Sequence, residues 1–435
     1  MQGFFVLVKG EKMNCVLKNG TVYINGKFVK TDLSILNGKL SFSVPQDNSC
    51  LKTIDCLNKF IFPGFVDVHV HLREPGFSYK ETIKTGTEAG ASAGYSALFS
   101  MPNLNPVPDT KANLQVQLEI IEKDAVVNVY PYASITVGQK GERLSDLEDM
   151  KDDAIAFSDD GRGVQSEELM KSAMEKAKKL NKIIVAHCEV NELLNDGYIH
   201  DGEYAKTHGH KGICSASEYK QIERDVGLVE QTGVKYHVCH VSAKESVDII
   251  RNAKLKGLDV TAETAPHYLV FSDKDLQESG NFKMNPPIRG EEDRLALIEG
   301  VLDGTLDMIA TDHAPHSFEE KSKGLKGSLN GIVGLETAFP VMYSKLVKTG
   351  ILSLEKLIEV MSINPAKRFG LKAGIEEGEL ASLCVFDLEK EYEINPEKFK
   401  SKGKSTPFNR MKVFGECVLN IVNGKTVWEK SPKSI

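Results

Sequence analysis

The sequence predicts an α/β chain: a (β/α)8 barrel of the TIM type with a small β-sandwich built from both chain ends. Three observations carry this prediction. Eight strand-like segments alternate with amphipathic ones through the middle of the chain, hairpin-rich segments of a different texture flank them, and histidines and acids recur where the strand-like segments end. A chain of 435 residues has room for a large domain and a smaller one.

Residues 1–62 form the first part of the expected sandwich. Strand-like 21–24 and 39–44 are separated by Asn19-Gly20, Asn25-Gly26 and Asn37-Gly38, and Asn-Gly is the strongest short hairpin signal. The texture returns over 365–435, where 383–388 and 416–422 alternate and Asn423-Gly424 supplies another turn. Neither end can bury both faces of a sheet alone, so the two are expected to combine. Between them, 63–364 is the barrel, with strands expected at 65–72, 95–101, 126–135, 154–158, 183–187, 235–241, 259–263 and 307–311. Amphipathic helices are expected at 167–180, with Leu169, Ala173, Met174, Ala177 and Leu180 at helical spacing, and at 217–231. The segment between the third and fourth strands is short and poorly periodic.

A net charge of -7 and a pI near 6.0 argue against a nucleic-acid surface. The small basic run 398–404 is expected to be a solvated loop, and its Gly403-Lys404-Ser405 lacks the earlier glycine of a phosphate loop. The apolar run 4–8 is too short for a signal sequence, and no run approaches the roughly 18 residues of a membrane span, so a cytoplasmic protein is expected. Eight cysteines without a CxxC pair read as reduced core residues.

The first strand carries His69 and His71 two apart, so on a strand both imidazoles leave one face. Alone, such a pair reads equally as two solvated histidines. The other strand ends decide: Arg73 follows on the first, and the second ends in Met101-Pro102-Asn103. The fourth ends in Asp159-Asp160-Gly161, the fifth in His187-Cys188-Glu189, the sixth in His240-Val241-Ser242, and the eighth in Asp312-His313-Ala314-Pro315-His316. Four histidines and two carboxylates at matching ends of separate strands favour a metal centre over core histidines. Four imidazoles are too many for one catalytic cation with an open position. Two cations sharing them need a bridging carboxylate and a bridging water, which loses a proton near neutral pH. Asp160 shares its parity with small Ala154, Ala156 and Ser158 and is the inward-facing candidate, which leaves Asp159 as a turn or supporting acid. Asp312 is placed to contact one metal and to act as general base then acid; the alternative is a helix N-cap. Arg73, Asn103, Asn285 and His316 remain at the rim and describe a small anionic substrate with amide-like edges, although each alone reads as a surface or turn residue.

These motifs, with His237-Val238-Cys239-His240, Asn285-Pro286-Pro287-Ile288-Arg289 and Pro63-Gly64-Phe65-Val66-Asp67 beside them, resemble the dihydroorotases, and more closely the bacterial class I type of the amidohydrolase superfamily. The resemblance implies two Zn2+ per subunit, the first on His69 and His71, the second on His187 and His240, with Asp160 bridging. It implies Asp312 as the catalytic acid/base, Arg73, Asn103 and His316 on the substrate carboxylate, and Asn285 on the ring or ureido edge, with His71 also facing the substrate. Asn330-Gly331 stands where the family has Phe-Gly, so only backbone contacts carry over there. The implied reaction is reversible cyclisation of N-carbamoyl-L-aspartate to L-dihydroorotate in pyrimidine biosynthesis. A homodimer and aspartate transcarbamoylase are the expected protein partners. The rival readings are allantoinase or dihydropyrimidinase on the same barrel, and a catalytically silent scaffold, which would have lost metal ligands. The segment 319–331, rich in Lys, Gly and Ser, is expected to be mobile.

Overall fold

The computed structural model describes residues 10–45 and 51–430; the 4–8 apolar run and Cys50 lie outside the described residues. Eight parallel strands form the barrel in chain order: Phe65–Val70, Tyr95–Ser100, Asn128–Pro131, Phe157–Ser158, Ile183–Ala186, Lys235–Val238, Val260–Thr264 and Met308–Ile309. The first three pair with one another and the last five likewise. Parallel bridges Ala133 to Phe157 and Val70 to His313 close the circle. Every residue of the first, second and fifth strands is buried, as expected where helices cover one face of a parallel sheet and packed side chains fill the other.

Each expected strand is found, although the third is shorter than its 126–135 pattern. Beyond Pro131 the amides of Ile135 and Thr136 donate to the Asp159 carboxylate at 2.8 and 3.0 Å, which draws the chain out of the sheet. The helix Glu167–Lys179 starts where the Ser166 hydroxyl accepts from Leu169 N–H, carries Glu167 and Glu168 in its first turn, and buries Met170, Ala173, Met174 and Ala177. Ala216–Thr232 ends at Gly233, whose positive φ of 64° suits a glycine. Between the third and fourth strands only the single turn Leu147–Met150 is α-helical, in keeping with the poor periodicity there.

The strands from both chain ends join one eight-stranded sheet, in which Cys384 pairs with Phe62. Backbone bonds from Leu40 to Glu379, Ala381 to Gly38 and Met13 to Gly424 fold its edges together. Cys15, Leu17, Val22, Leu33 and Ile35 from one end pack there with Leu383, Val385, Leu419 and Ile421 from the other. Asn25-Gly26, Asn37-Gly38 and Asn423-Gly424 make the expected tight turns with positive φ. Asn19-Gly20 does not: it is a bulge inside the continuous strand Cys15–Ile24. A Cβ on Gly20 would stand 2.7 Å from Ile61 Cδ1, so the glycine serves a close approach rather than a reversal. Phe62, Phe65, Phe339 and Phe386 interlock where this sheet meets the base of the barrel, with centroids 4.4 to 6.2 Å apart.

The basic run departs from the expected solvated loop. Lys398, Lys400 and Lys402 are exposed, but Ser401, Gly403 and Ser405 are buried against the barrel. The amides of Lys400 and Ser401 donate to Glu336 at 2.8 and 3.2 Å, the Ser401 hydroxyl donates to Glu81, and Val333 N–H donates to Ser405 O at 2.9 Å. Alternation of exposed and buried residues, rather than composition, was the usable signal. Among the described residues no helix is long and apolar enough to cross a membrane. Six of the seven described cysteines are buried and all seven are free thiols.

Candidate active site

The histidines and acids predicted from the strand ends meet at one end of the barrel. Asp160 Oδ1 lies 3.3 Å from His69 Nε2, 3.5 Å from His240 Nε2 and 3.7 Å from His187 Nδ1, and its Oδ2 lies 3.5 Å from His71 Nε2. Asp312 Oδ1 lies 3.1 Å from His71 Nε2 and 3.5 Å from His69 Nε2. His187 Nδ1 and His240 Nε2 are 2.9 Å apart. All six side chains are buried. The atoms fall into two overlapping groups with metal-ligand spacing, His69-His71-Asp160 and Asp160-His187-His240, which share Asp160.

This donor set fits divalent cations. His69 Nε2 and Asp160 Oδ1 are buried without a hydrogen-bond partner although they face one another, an expensive arrangement unless something held between them completes it. Burial would raise Asp160, but His69 and His240 hold it well below the carboxylate range. Burial likewise opposes ionisation of Asp312, and His71 and His69 outweigh it, so this carboxylate is depressed too. Arg73, His240 and Asp312 all have positive φ, at 60°, 31° and 47°, a left-handed backbone that costs non-glycine residues energy and collects at functional sites.

Asp159 turns away from this cluster. It caps the amides of Ile135 and Thr136, and burial lifts its carboxyl to about 6. At the rim, Arg73 Nη2 lies 3.3 Å from His316 Nε2, and Arg73 Nε donates to Pro315 O at 3.2 Å. His316 is held down to about 3 by burial and by the charges of Arg73 and Lys80. Each of its ring nitrogens faces one donor and one acceptor: Arg73 and the Asn330 carbonyl at Nε2, Lys80 and Glu320 at Nδ1. Asn103 Nδ2 donates to Asp160 O at 2.5 Å and Asn285 Nδ2 to Glu189 Oε1 at 2.7 Å; the Oδ1 of each is buried without a partner. Asn330 is exposed, and Gly331 N–H donates to Lys283 O at 3.0 Å. A Cβ on Gly331, at φ 131°, would come within 2.6 Å of Ala314 O.

Sequence reasoning passed over the end of the seventh strand, Glu263-Thr264-Ala265-Pro266-His267, although an acid and a histidine at a strand end are the same signal used elsewhere. Glu263 Oε1 receives His69 Nδ1–H at 2.6 Å. His267 is buried, its Nε2 has no partner, and burial lowers its ring to about 4. Between about pH 6.5 and 4 the unfolded chain therefore takes up a proton at His267 that the folded protein refuses, so stability falls as pH falls through that window. In His267→Asn that contribution vanishes. Urea unfolding of the metal-free protein at pH 7, 6 and 5 is expected to move the stability difference in the variant's favour by up to about 1.4 kcal/mol per pH unit. A pH-independent difference would remove His267 from the titrating groups.

Comparison with known proteins bears on the family and the fold. The family model for dihydro-orotase-like proteins matches residues 58–246. Curated dihydroorotases of Bacillus thuringiensis and Bacillus anthracis are each 50% identical over 426 residues, which is 96% of this chain and 99% of theirs. Among solved structures, an L-hydantoinase (dihydropyrimidinase) from Arthrobacter aurescens superposes with a TM-score of 0.85 at 26% identity, covering 96% of this chain and 97% of its own. A dihydropyrimidinase from Brevibacillus agri, at 22% identity and a TM-score of 0.84, shares the fold. Barrel, β-rich sheet and strand-end cluster together define a cyclic amidohydrolase. Within that class the chain belongs to the dihydroorotase family.

Proposed function

We propose that the chain is a dihydroorotase of the bacterial class I type, interconverting N-carbamoyl-L-aspartate and L-dihydroorotate in de novo pyrimidine synthesis. The observation that carries the reading is one carboxylate, Asp160, within 3.3 to 3.7 Å of four imidazole nitrogens, in a chain half identical to curated dihydroorotases. His69 and His71 would hold one cation, His187 and His240 a second, and Asp160 both, with Asp312 touching one. The chemistry that two divalent cations, zinc in this proposal, supply there is acidification of a water and polarisation of an amide carbonyl.

The residues of the chain do the rest. In ring opening, Asp312 takes the proton from the attacking water and carries it to the departing ring nitrogen; in ring closure it takes the ureido proton and returns it to the leaving oxygen. Arg73 presents a planar fork of donors to the substrate carboxylate, with neutral His316 and Asn103 beside it. Asn285 faces the ring or ureido edge. His71 flanks the substrate, and the main chain at Asn330 and Gly331 borders it. A homodimer, association with aspartate transcarbamoylase and a cytoplasmic location go with this reading and rest on the family resemblance.

The hydantoinase fold neighbour favours one specific rival, hydrolysis of an uncharged cyclic amide. Turnover on dihydroorotate, dihydrouracil, hydantoin and allantoin separates the two, and preference for any of the last three overturns the proposal. Arg73→Gln is expected to raise KM for dihydroorotate by about 10- to 100-fold, the equivalent of one or two charge-assisted hydrogen bonds. An unchanged KM would place the carboxylate elsewhere.

A further inference from the structure

Glu263 is the penultimate residue of the seventh barrel strand, and its two oxygens gather three donors, two from other strands and one from just beyond the sixth. Oε1 accepts His69 Nδ1–H from the first strand at 2.6 Å and the main-chain N–H of His240, beyond the sixth, at 3.3 Å. Oε2 lies 3.1 Å from Nε2 of His237, within the sixth strand, and His237 Nδ1 lies 2.9 Å from Thr261 Oγ1. Glu263, His69 and His237 are all at most 1% exposed, so no water competes for these contacts.

We infer that Glu263 is the positioning residue that sets both halves of the metal centre, an inference resting on the reading above that the cluster holds two divalent cations. A neutral imidazole carries one proton on one of two nitrogens. The carboxylate fixes that proton of His69 on Nδ1 and leaves the Nε2 lone pair facing Asp160 and Asp312, at 3.3 and 3.5 Å. Without an acceptor at Nδ1 the ring satisfies those two carboxylates by donating from Nε2, and that tautomer cannot ligate. The same carboxylate reaches the second half through the backbone. His240 has φ 31°, and its amide is held by Glu263, so the strained turn that aims the ring at Asp160 is tied to the residue that orients His69. One side chain thus serves a ligand of each cation, and its loss weakens both.

The experiment titrates chelator-stripped full-length protein with Co2+, reading metal per chain, affinity and the visible absorption of the bound ion. Glu263→Gln keeps the shape but offers one acceptor where two are used. It is expected to keep the far-UV circular dichroism of the metal-free wild type, to bind both Co2+ ions about 10- to 100-fold more weakly, and to shift the visible spectrum. Should Glu263→Gln not fold, His237→Phe frees Oε2 and lets the carboxylate swing from His69, so a several-fold loss at both ions is expected. Wild-type affinity and spectrum in the folded variants, or weakening of one ion alone, overturns the inference. Wild-type protein that takes up no Co2+ instead overturns the metal-centre reading beneath it.

Discussion

Asp312→Asn is expected to lower kcat for dihydroorotate ring opening by about 10²- to 10⁴-fold, the range of a lost general acid/base. Asparagine keeps the shape and one side-chain oxygen but cannot accept and return a proton. Asp312 Oδ1 lies between His71 and His69, and these rings hold its carboxylate ionised against the cost of burial. The loss should therefore fall on kcat, with KM within a few-fold of wild type. The equilibrium between the two substrates is theirs alone, so kcat/KM must fall by one factor in both directions. Steady-state rates measured in each direction, with metal content determined on the same preparation, check this. A loss under tenfold with metal retained would remove the proton-carrying role.

The second large effect is expected from Asp160→Asn. The shared carboxylate is the one anion common to both ligand groups, and four imidazoles are left around a neutral amide when it is gone. If the proposed two-cation centre holds, metal uptake should fall from two ions per chain to one or none. Activity should fall about 10³-fold, as when a principal electrostatic element of a site is removed. Metal analysis after dialysis, alongside turnover, reads both. Two tightly held ions in the variant would mean that the two groups do not share this side chain.

Much of this was legible in the sequence because it depends on period and position. Alternation located the eight strands, and the rule that a parallel barrel works at its strand ends placed His69, His71, Asp160, His187, His240 and Asp312 on one face. Parity separated Asp160 from Asp159 for the same reason: neighbouring residues on a strand point opposite ways. What escaped depends on contacts between distant parts of the chain. The strand-end position of Glu263 could have flagged it, but not what it does, because its partners His69 and His237 lie 194 and 26 residues away. The docking of Ser401 against Glu81 spans 320 residues, and composition alone made that segment look like solvated loop. Asn19-Gly20 read as a turn because the pair tolerates positive φ, a property that a bulge uses equally well.

The pairing of Cys384 with Phe62 has a consequence for how the molecule is made. During synthesis the amino-terminal strands leave the ribosome more than three hundred residues before the partner that completes their sheet. Glu81 and His313 likewise wait for Ser401. Such distant pairings are slow to form and leave unpaired strand edges exposed meanwhile. A nascent chain stalled before about residue 400 would carry every side chain of the His-Asp cluster and still lack the segment that ties Glu81 and His313 in place.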